Sequence, residues 1–134
     1  MGTASVLIVE DDENTRSILA EVLKSEGCDV KEAENGKRAL ELLADVRPDL
    51  IIVDLMMPVM NGWDLCSALE KDERLARIPV AILTALSSVH PLGNRPILPK
   101  PVRLTTLVAL LDLVRAAGAR RLAPTNGSSV QACG

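Results

Sequence analysis

The sequence predicts an α/β domain in which five parallel strands form one sheet that is covered by helices on both faces. Short apolar runs rich in β-branched residues are typical of buried strands. The segments between these runs repeat apolar residues at helical spacing. Because strand and helix alternate five times, a parallel sheet is favoured. The 134 residues, 48% of them hydrophobic, suit one domain with one core.

Each predicted element has its own signal. Apolar runs predict strands at 6–9, 50–53, 80–83 and, more weakly, 97–98, and the alternating segment CDVKEA at 28–33 predicts an edge strand. Amphipathic spacing predicts helices around 18–23, 39–46, 65–69 and 104–114. Gly27 is a natural C-terminal signal for the first helix. We expect the domain to span residues 5–119, with residues 120–134 as a flexible C-terminal tail.

Composition excludes several classes of function. The formal net charge is -3, so no strong basic field favours nucleic acid as a direct partner. Trp63 is the single aromatic residue, which disfavours flavin sites and stacking on single-stranded nucleic acid. The three cysteines and the single histidine support neither a disulfide framework nor a zinc site. No signal peptide or membrane helix is predicted, and we expect a cytoplasmic protein.

Polar residues follow the predicted strands where the carboxyl ends of a parallel sheet meet. Glu10-Asp11-Asp12 follows the apolar run 6–9, and Asp54 follows the run 50–53. Thr84 follows the run 80–83, and Lys100-Pro101 comes after the weaker run 97–98. Carboxylates, a hydroxyl and an ammonium group around one crevice suit Mg²⁺ and a phosphoryl group. Clustered carboxylates repel one another, and a divalent cation relieves that repulsion. Asp54 is the best-placed nucleophile toward phosphorus.

Together these residues carry a resemblance. Glu10-Asp11, the segment DLMMPVMNG from Asp54, Thr84-Ala85 and Lys100-Pro101 resemble the motifs of a bacterial response-regulator receiver domain over nearly the whole chain. The resemblance implies a flavodoxin-like fold with strand order 2-1-3-4-5. It also implies Mg²⁺-dependent transfer of a phosphoryl group from a histidine kinase or phosphotransfer protein to Asp54, followed by altered contacts with a downstream protein in two-component signalling or a phosphorelay. Such a domain is a phosphoacceptor with self-catalysed phosphotransfer and autodephosphorylation, not otherwise an enzyme.

The same resemblance assigns the metal site. It implies that Asp11 binds Mg²⁺ directly, that Glu10 binds it through water, and that Asp54 is both ligand and phosphoacceptor. The main-chain carbonyl of Met56 would complete the protein ligands.

The resemblance also assigns the groups around the phosphoryl oxygens. Thr84 would donate a hydrogen bond to one oxygen, and Ala85 would keep the approach open. Lys100 would pair first with Asp54 and then with the phosphoryl group, and the Lys100-Pro101 peptide is a candidate cis bond. Asp12 lies outside the family's acidic pair, so we expect it to cap the following helix.

Two features depart from the family pattern and predict an altered readout of phosphorylation. The segment 85–95 has 11 residues with Pro91 and Gly93, so the fourth helix is predicted to be shortened, irregular or absent. Ile97 stands where the family usually has an aromatic switch residue. A receiver-like interaction module that does not switch by phosphorylation is therefore the alternative. A small-molecule phosphatase is disfavoured because Met56 stands where a second acid is needed.

The last predicted helix is more apolar than one face of a sheet requires. Leu107, Val108, Leu111 and Val114 form a stripe, which Leu110 and Leu113 widen. We therefore predict that this helix contacts a partner or forms a homodimer.

Overall fold

A computed structural model describes residues 3–57, 59–85 and 95–122. The strands are β1 (Ser5–Val9), β2 (Asp29–Ala33), β3 (Leu50–Asp54), β4 (Val80–Thr84) and β5 (Ile97–Pro99). The helices of the described part are α1 (Glu13–Ser25), α2 (Gly36–Leu43), α3 (Gly62–Glu70) and α4 (Leu104–Leu122). All five strands are parallel, in the order β2-β1-β3-β4-β5. The predicted fold class and strand order are confirmed.

The sheet separates two apolar cores. Alternate residues of the central strands point to opposite faces, as the pleat of a strand requires. On one face β1 and β3 pack against α1 and α4, and on the other they pack against α2 and α3. Because β3 and β4 are buried along their whole length, any polar group at their carboxyl ends lies beside a dry interior. This arrangement sets the environment of the site.

Local signals account for the helix ends. Asp12 caps α1 as predicted, since its carboxylate accepts hydrogen bonds from the Thr15 N–H at 2.9 Å and the Thr15 hydroxyl at 2.6 Å. Gly27 follows the end of α1 with φ +87°, a left-handed conformation that glycine adopts without steric cost. The predicted C-terminal signal at Gly27 is therefore confirmed.

The last helix extends further than predicted. It continues to Leu122 rather than ending near Val114, because the segment RAAGARRL is rich in good helix formers although its apolar stripe has ended. The helix thus includes the first residues of the predicted tail. Residues 123–134 lie outside the described part, so the boundary between domain and tail stays a prediction.

Among the described side chains of α4, those before residue 118, the core covers most of the apolar surface. Leu107, Leu110, Leu111 and Val114 are buried, whereas Leu113 is 68% exposed. Leu104, 56% exposed, is nine residues before Leu113 and therefore lies about half a turn away around the helix. These two side chains do not form one continuous stripe.

The predicted shortening of the family's fourth helix, which would lie between β4 and β5, concerns residues 86–94. These residues lie outside the described part. Within the described part, no helix combines the length and apolar character that a membrane span requires.

Candidate functional site

The predicted polar residues meet at the carboxyl edge of the sheet. Asp54 and Thr84 are the last residues of β3 and β4, Glu10 directly follows β1, and Lys100 directly follows β5. The Lys100 N–H donates a hydrogen bond to the Thr84 carbonyl at 2.8 Å, so β5 delivers the lysine beside β4. The sequence prediction that these side chains share one edge is confirmed.

Three carboxylates form the centre of the site. Glu10, Asp11 and Asp54 each offer an oxygen, and these atoms all lie within 4.8 Å of one another. Glu10 is fully buried and Asp54 is 3% exposed, while Asp11 faces solvent. The cluster is therefore open on the side of Asp11 and closed on the side of the core.

Among the described residues, Lys100 is the cation that contacts the side chains of both buried acids. Its Nζ atom donates a hydrogen bond to Asp54 Oδ2 at 3.0 Å and lies 2.9 Å from Glu10 Oε1. Burial alone would lower the pKa of Lys100, but its contacts with the two carboxylates outweigh this and raise the pKa above its usual value. The ammonium group therefore stays charged and neutralises part of the cluster.

The surroundings of Glu10 disfavour its charged form. Burial, together with the neighbouring Asp54, raises the pKa of Glu10 to about 7, although Lys100 and the Asp12 N–H act in the opposite direction. Its Oε2 atom accepts a hydrogen bond from the Asp12 N–H at 3.1 Å. Its Oε1 atom is buried and accepts no hydrogen bond, since the contact with Lys100 is an ion pair without hydrogen-bond geometry.

This donor set fits a hard divalent cation. Three carboxylates face a single neighbouring ammonium group among the described residues, which leaves an excess of negative charge, and one buried oxygen, Glu10 Oε1, accepts no hydrogen bond. Asp11 is exposed and can be reached from solvent. The oxygen chemistry matches the preference of Mg²⁺ for carboxylates and water.

The segment after Asp54 is shaped by close packing. The Met56 N–H donates a hydrogen bond to Asp54 Oδ1 at 3.1 Å, which turns the chain back over the acid. A Cβ atom on Gly62 would lie 2.8 Å from the Asp54 carbonyl oxygen and 2.7 Å from the Leu55 Cα, so only glycine fits there. The metal-binding role of the Met56 carbonyl stays a prediction.

Several smaller expectations have clear outcomes. The Lys100-Pro101 peptide is cis, as predicted. Ala85 is exposed beside Thr84, and Ile97 lies on the edge strand β5 with 41% of its surface exposed. An aliphatic residue therefore occupies the predicted switch position.

Sequence reasoning did not single out Arg16. Its guanidinium donates a hydrogen bond to the main-chain carbonyl of Glu10 at 2.8 Å, directly behind the acidic cluster. A basic residue near the N-terminus of a helix opposes the helix dipole. That local mismatch was the available signal of a tertiary role.

Comparison with known proteins identifies the family. Residues 6–112 match the family model described as the response regulator receiver domain. The chain belongs to this receiver family. The receiver domain of a signal transduction histidine kinase from Syntrophus aciditrophicus is 29% identical and superposes with a TM-score of 0.80, covering 96% of this chain and 98% of that one. The resemblance found in the sequence motifs is thus confirmed.

Curated relatives of this receiver chain are longer proteins. The response regulator MprA of Mycolicibacterium vanbaalenii is 34% identical over 95% of this chain, and the match spans 55% of MprA. The DNA-binding response regulator MtrA of Mycolicibacterium smegmatis is 40% identical over 60% of this chain, and the match spans 34% of MtrA. The chain therefore corresponds to the receiver portion of proteins that continue beyond it, and it is a receiver domain of two-component signalling.

Proposed function

We propose that this receiver domain accepts one phosphoryl group on Asp54, supplied by a histidine kinase or a phosphotransfer protein, and then changes its contacts with a downstream protein. The observation that carries the proposal is the pairing of Asp54 with Lys100 at 3.0 Å inside a cluster of three carboxylates. A nucleophilic carboxylate, an ammonium group and a cation site are the groups that phosphoryl transfer requires.

Each residue of the site has a defined role in this transfer. An oxygen of Asp54 forms the new bond to phosphorus while the bond from phosphorus to the donor breaks, and the electron pair of that bond leaves with the donor. The ammonium group of Lys100 then pairs with the transferred phosphoryl oxygens, and the Thr84 hydroxyl donates a hydrogen bond to one of them. Glu10, Asp11, Asp54 and the Met56 carbonyl would hold Mg²⁺. When bound, Mg²⁺ neutralises the carboxylates and offsets the charge on the phosphoryl oxygens.

The test is the intact mass of the protein after incubation with Mg²⁺ and acetyl phosphate. We expect one added phosphoryl group on the wild type, none on Asp54→Asn, and none when EDTA removes the metal. Asp45→Asn is the matched control, because Asp45 is an exposed acid outside the cluster, and it should retain the full adduct.

Failure would select the alternative function. If Mg²⁺ quenches Trp63 fluorescence but no adduct forms, the metal site is filled without phosphoryl chemistry. That outcome would make the chain an interaction module that does not switch by phosphorylation.

Self-association through α4 is a second part of the proposal. Leu113 supports it, since a large apolar side chain 68% exposed on this helix is available to a partner. The molar mass by light scattering at high protein concentration, with and without phosphodonor, tests it. A monomer under both conditions would rule out the homodimer.

A further inference from the structure

Arg16 connects three parts of the fold behind the acidic cluster. The residue lies near the start of α1. One guanidinium nitrogen donates a hydrogen bond to the Glu10 carbonyl at 2.8 Å, and Nε donates to Glu32 Oε1 on β2 at 3.2 Å. The Arg16 side chain is only 17% exposed, compared with 38% for Glu32. A single planar group thus ties the helix and the edge strand to the residue that follows β1.

The hydrogen bond to Glu10 acts on the peptide that leads into Asp11. The orientation of a planar peptide unit decides where the next Cα, and hence the next side chain, is placed. The Glu10 N–H is already held by the Ala33 carbonyl at 3.0 Å. The bond from Arg16 to the carbonyl fixes the other side of the residue, so the direction in which the chain leaves toward Asp11 is constrained.

We propose that Arg16 is a positioning residue for the divalent cation, which holds Glu10 and Asp11 in the arrangement that binds the metal. The inference rests on the proposed function, because it assigns a role within the same metal site. Removing a group that hydrogen-bonds to metal ligands and orients them typically weakens metal binding by about 10- to 100-fold. We expect the lower end of that range here, because Asp54 is positioned independently by β3.

Charge must be separated from position in the test. Removing the Arg16 cation alone would leave Glu32 unpaired, and the added negative charge would strengthen Mg²⁺ binding. The double variant Arg16→Met with Glu32→Gln removes one positive and one negative charge together. Its net charge equals that of the wild type, so a change in metal affinity reports on the geometry of the ligands.

The experiment is a Mg²⁺ titration followed by Trp63 fluorescence and repeated by calorimetry. We expect the dissociation constant of the double variant to rise about tenfold. The matched control is Arg38→Met with Glu41→Gln, which removes an exposed ion pair of 3.1 Å on α2. The control should bind Mg²⁺ with the wild-type affinity. Thermal unfolding without Mg²⁺, measured on the same samples, reports the purely structural effect of each change.

The single variant Arg16→Lys keeps the charge, and its one ammonium group can replace the bond to the Glu10 carbonyl. We expect it to recover most of the affinity.

Wild-type affinity in the double variant, even with a lowered melting temperature, would show that Arg16 is merely structural and would overturn the inference while leaving the proposed function intact. If the wild type itself binds no Mg²⁺, both the inference and the proposed metal site fail. If the double variant does not fold, Arg16→Lys and Arg16→Gln decide: the inference stands only if Gln weakens Mg²⁺ binding and Lys does not.

Discussion

The dipeptide Asn-Gly begins two helices on the same face of the sheet, and the two helix starts differ in what surrounds them. Asn35 caps α2 by accepting a hydrogen bond from the Arg38 N–H at 2.8 Å. Asn61 caps α3 in the same way, accepting from the Asp64 N–H at 2.9 Å. In both cases glycine is the first residue of the helix. The local structure is therefore the same at the two positions.

The surroundings of the two glycines are different. A Cβ atom on Gly36 would lie 2.7 Å from Met60 Cγ, which belongs to a flexible side chain. A Cβ atom on Gly62 would lie 2.7 Å from the Leu55 Cα, which belongs to the backbone next to Asp54, the proposed phosphoacceptor. A side chain can change its rotamer, whereas the end of β3 cannot move without displacing Asp54. The free-energy cost of an added methyl group therefore depends on whether the atoms that it contacts can move.

The largest expected effect follows directly from this difference. Gly62→Ala should lower the free energy of unfolding by about 3 kcal/mol, since it forces a methyl group against fixed backbone. The measurement is urea unfolding, combined with the acetyl phosphate mass test, in which we also expect a reduced adduct because Asp54 shifts.

Gly36→Ala is the matched control for that substitution. Met60 can move aside, and alanine is intrinsically about 1 kcal/mol better than glycine in a helix, so the net change should be under about 1 kcal/mol. Equal losses of unfolding free energy in the two variants would show that both contacts are equally rigid, which would contradict the difference in mobility between Met60 and the end of β3.

The two capping asparagines should contribute equally to the free energy of unfolding, unlike the two glycines. Asn35→Ala and Asn61→Ala each remove one capping hydrogen bond, and each should cost about 1 kcal/mol of unfolding free energy. Chemical denaturation of the two variants side by side checks this. A difference well above the experimental error would mean that one asparagine has a tertiary role as well.

The smallest effect is expected in the loop between β3 and α3. Val59 has φ +69°, a left-handed conformation that is unfavourable for a β-branched residue, and its side chain is 78% exposed. Val59→Gly should therefore raise the melting temperature, by an amount that corresponds to about 0.5–1 kcal/mol. Val59→Ala retains a Cβ atom and is the control. If alanine stabilised the protein as much as glycine, the backbone conformation would not be the cause.

Much of the fold and of the site could be predicted from the sequence. Apolar runs located β1, β3 and β4, because a strand buried on both faces must be apolar throughout, and a weaker run located β5. The edge strand β2 was found from its alternation of polar and apolar residues. Asp54, Thr84 and Lys100 were found from their positions after strands, since parallel strands bring their carboxyl ends to one edge. The end of α4 was missed because residues without an apolar stripe can still continue a helix that tertiary packing has started.

Apart from the pairing of Lys100 with Asp54, which the resemblance implied, the contacts made by polar and small side chains between distant segments could not be predicted. Nothing in the sequence near Arg16 indicates that its partners are Glu10 and Glu32, because those contacts exist only after β1, β2 and α1 have packed. The exposed Leu113 and the buried Leu110 are equally apolar in the sequence, and their difference depends on where the sheet lies.

Three features follow from local sequence alone: the alternation of strands and helices, the cap signals at Asp12 and Gly27, and the set of polar groups at the sheet edge. Each of these depends on local propensity or on the period of an apolar pattern, which neighbouring residues carry. Three properties depend on tertiary packing: Glu10 is buried without a hydrogen bond to Oε1, Lys100 contacts Glu10 as well as Asp54, and Gly62 must lack a side chain. These properties depend on distances between segments far apart in the chain, and packing alone sets such distances.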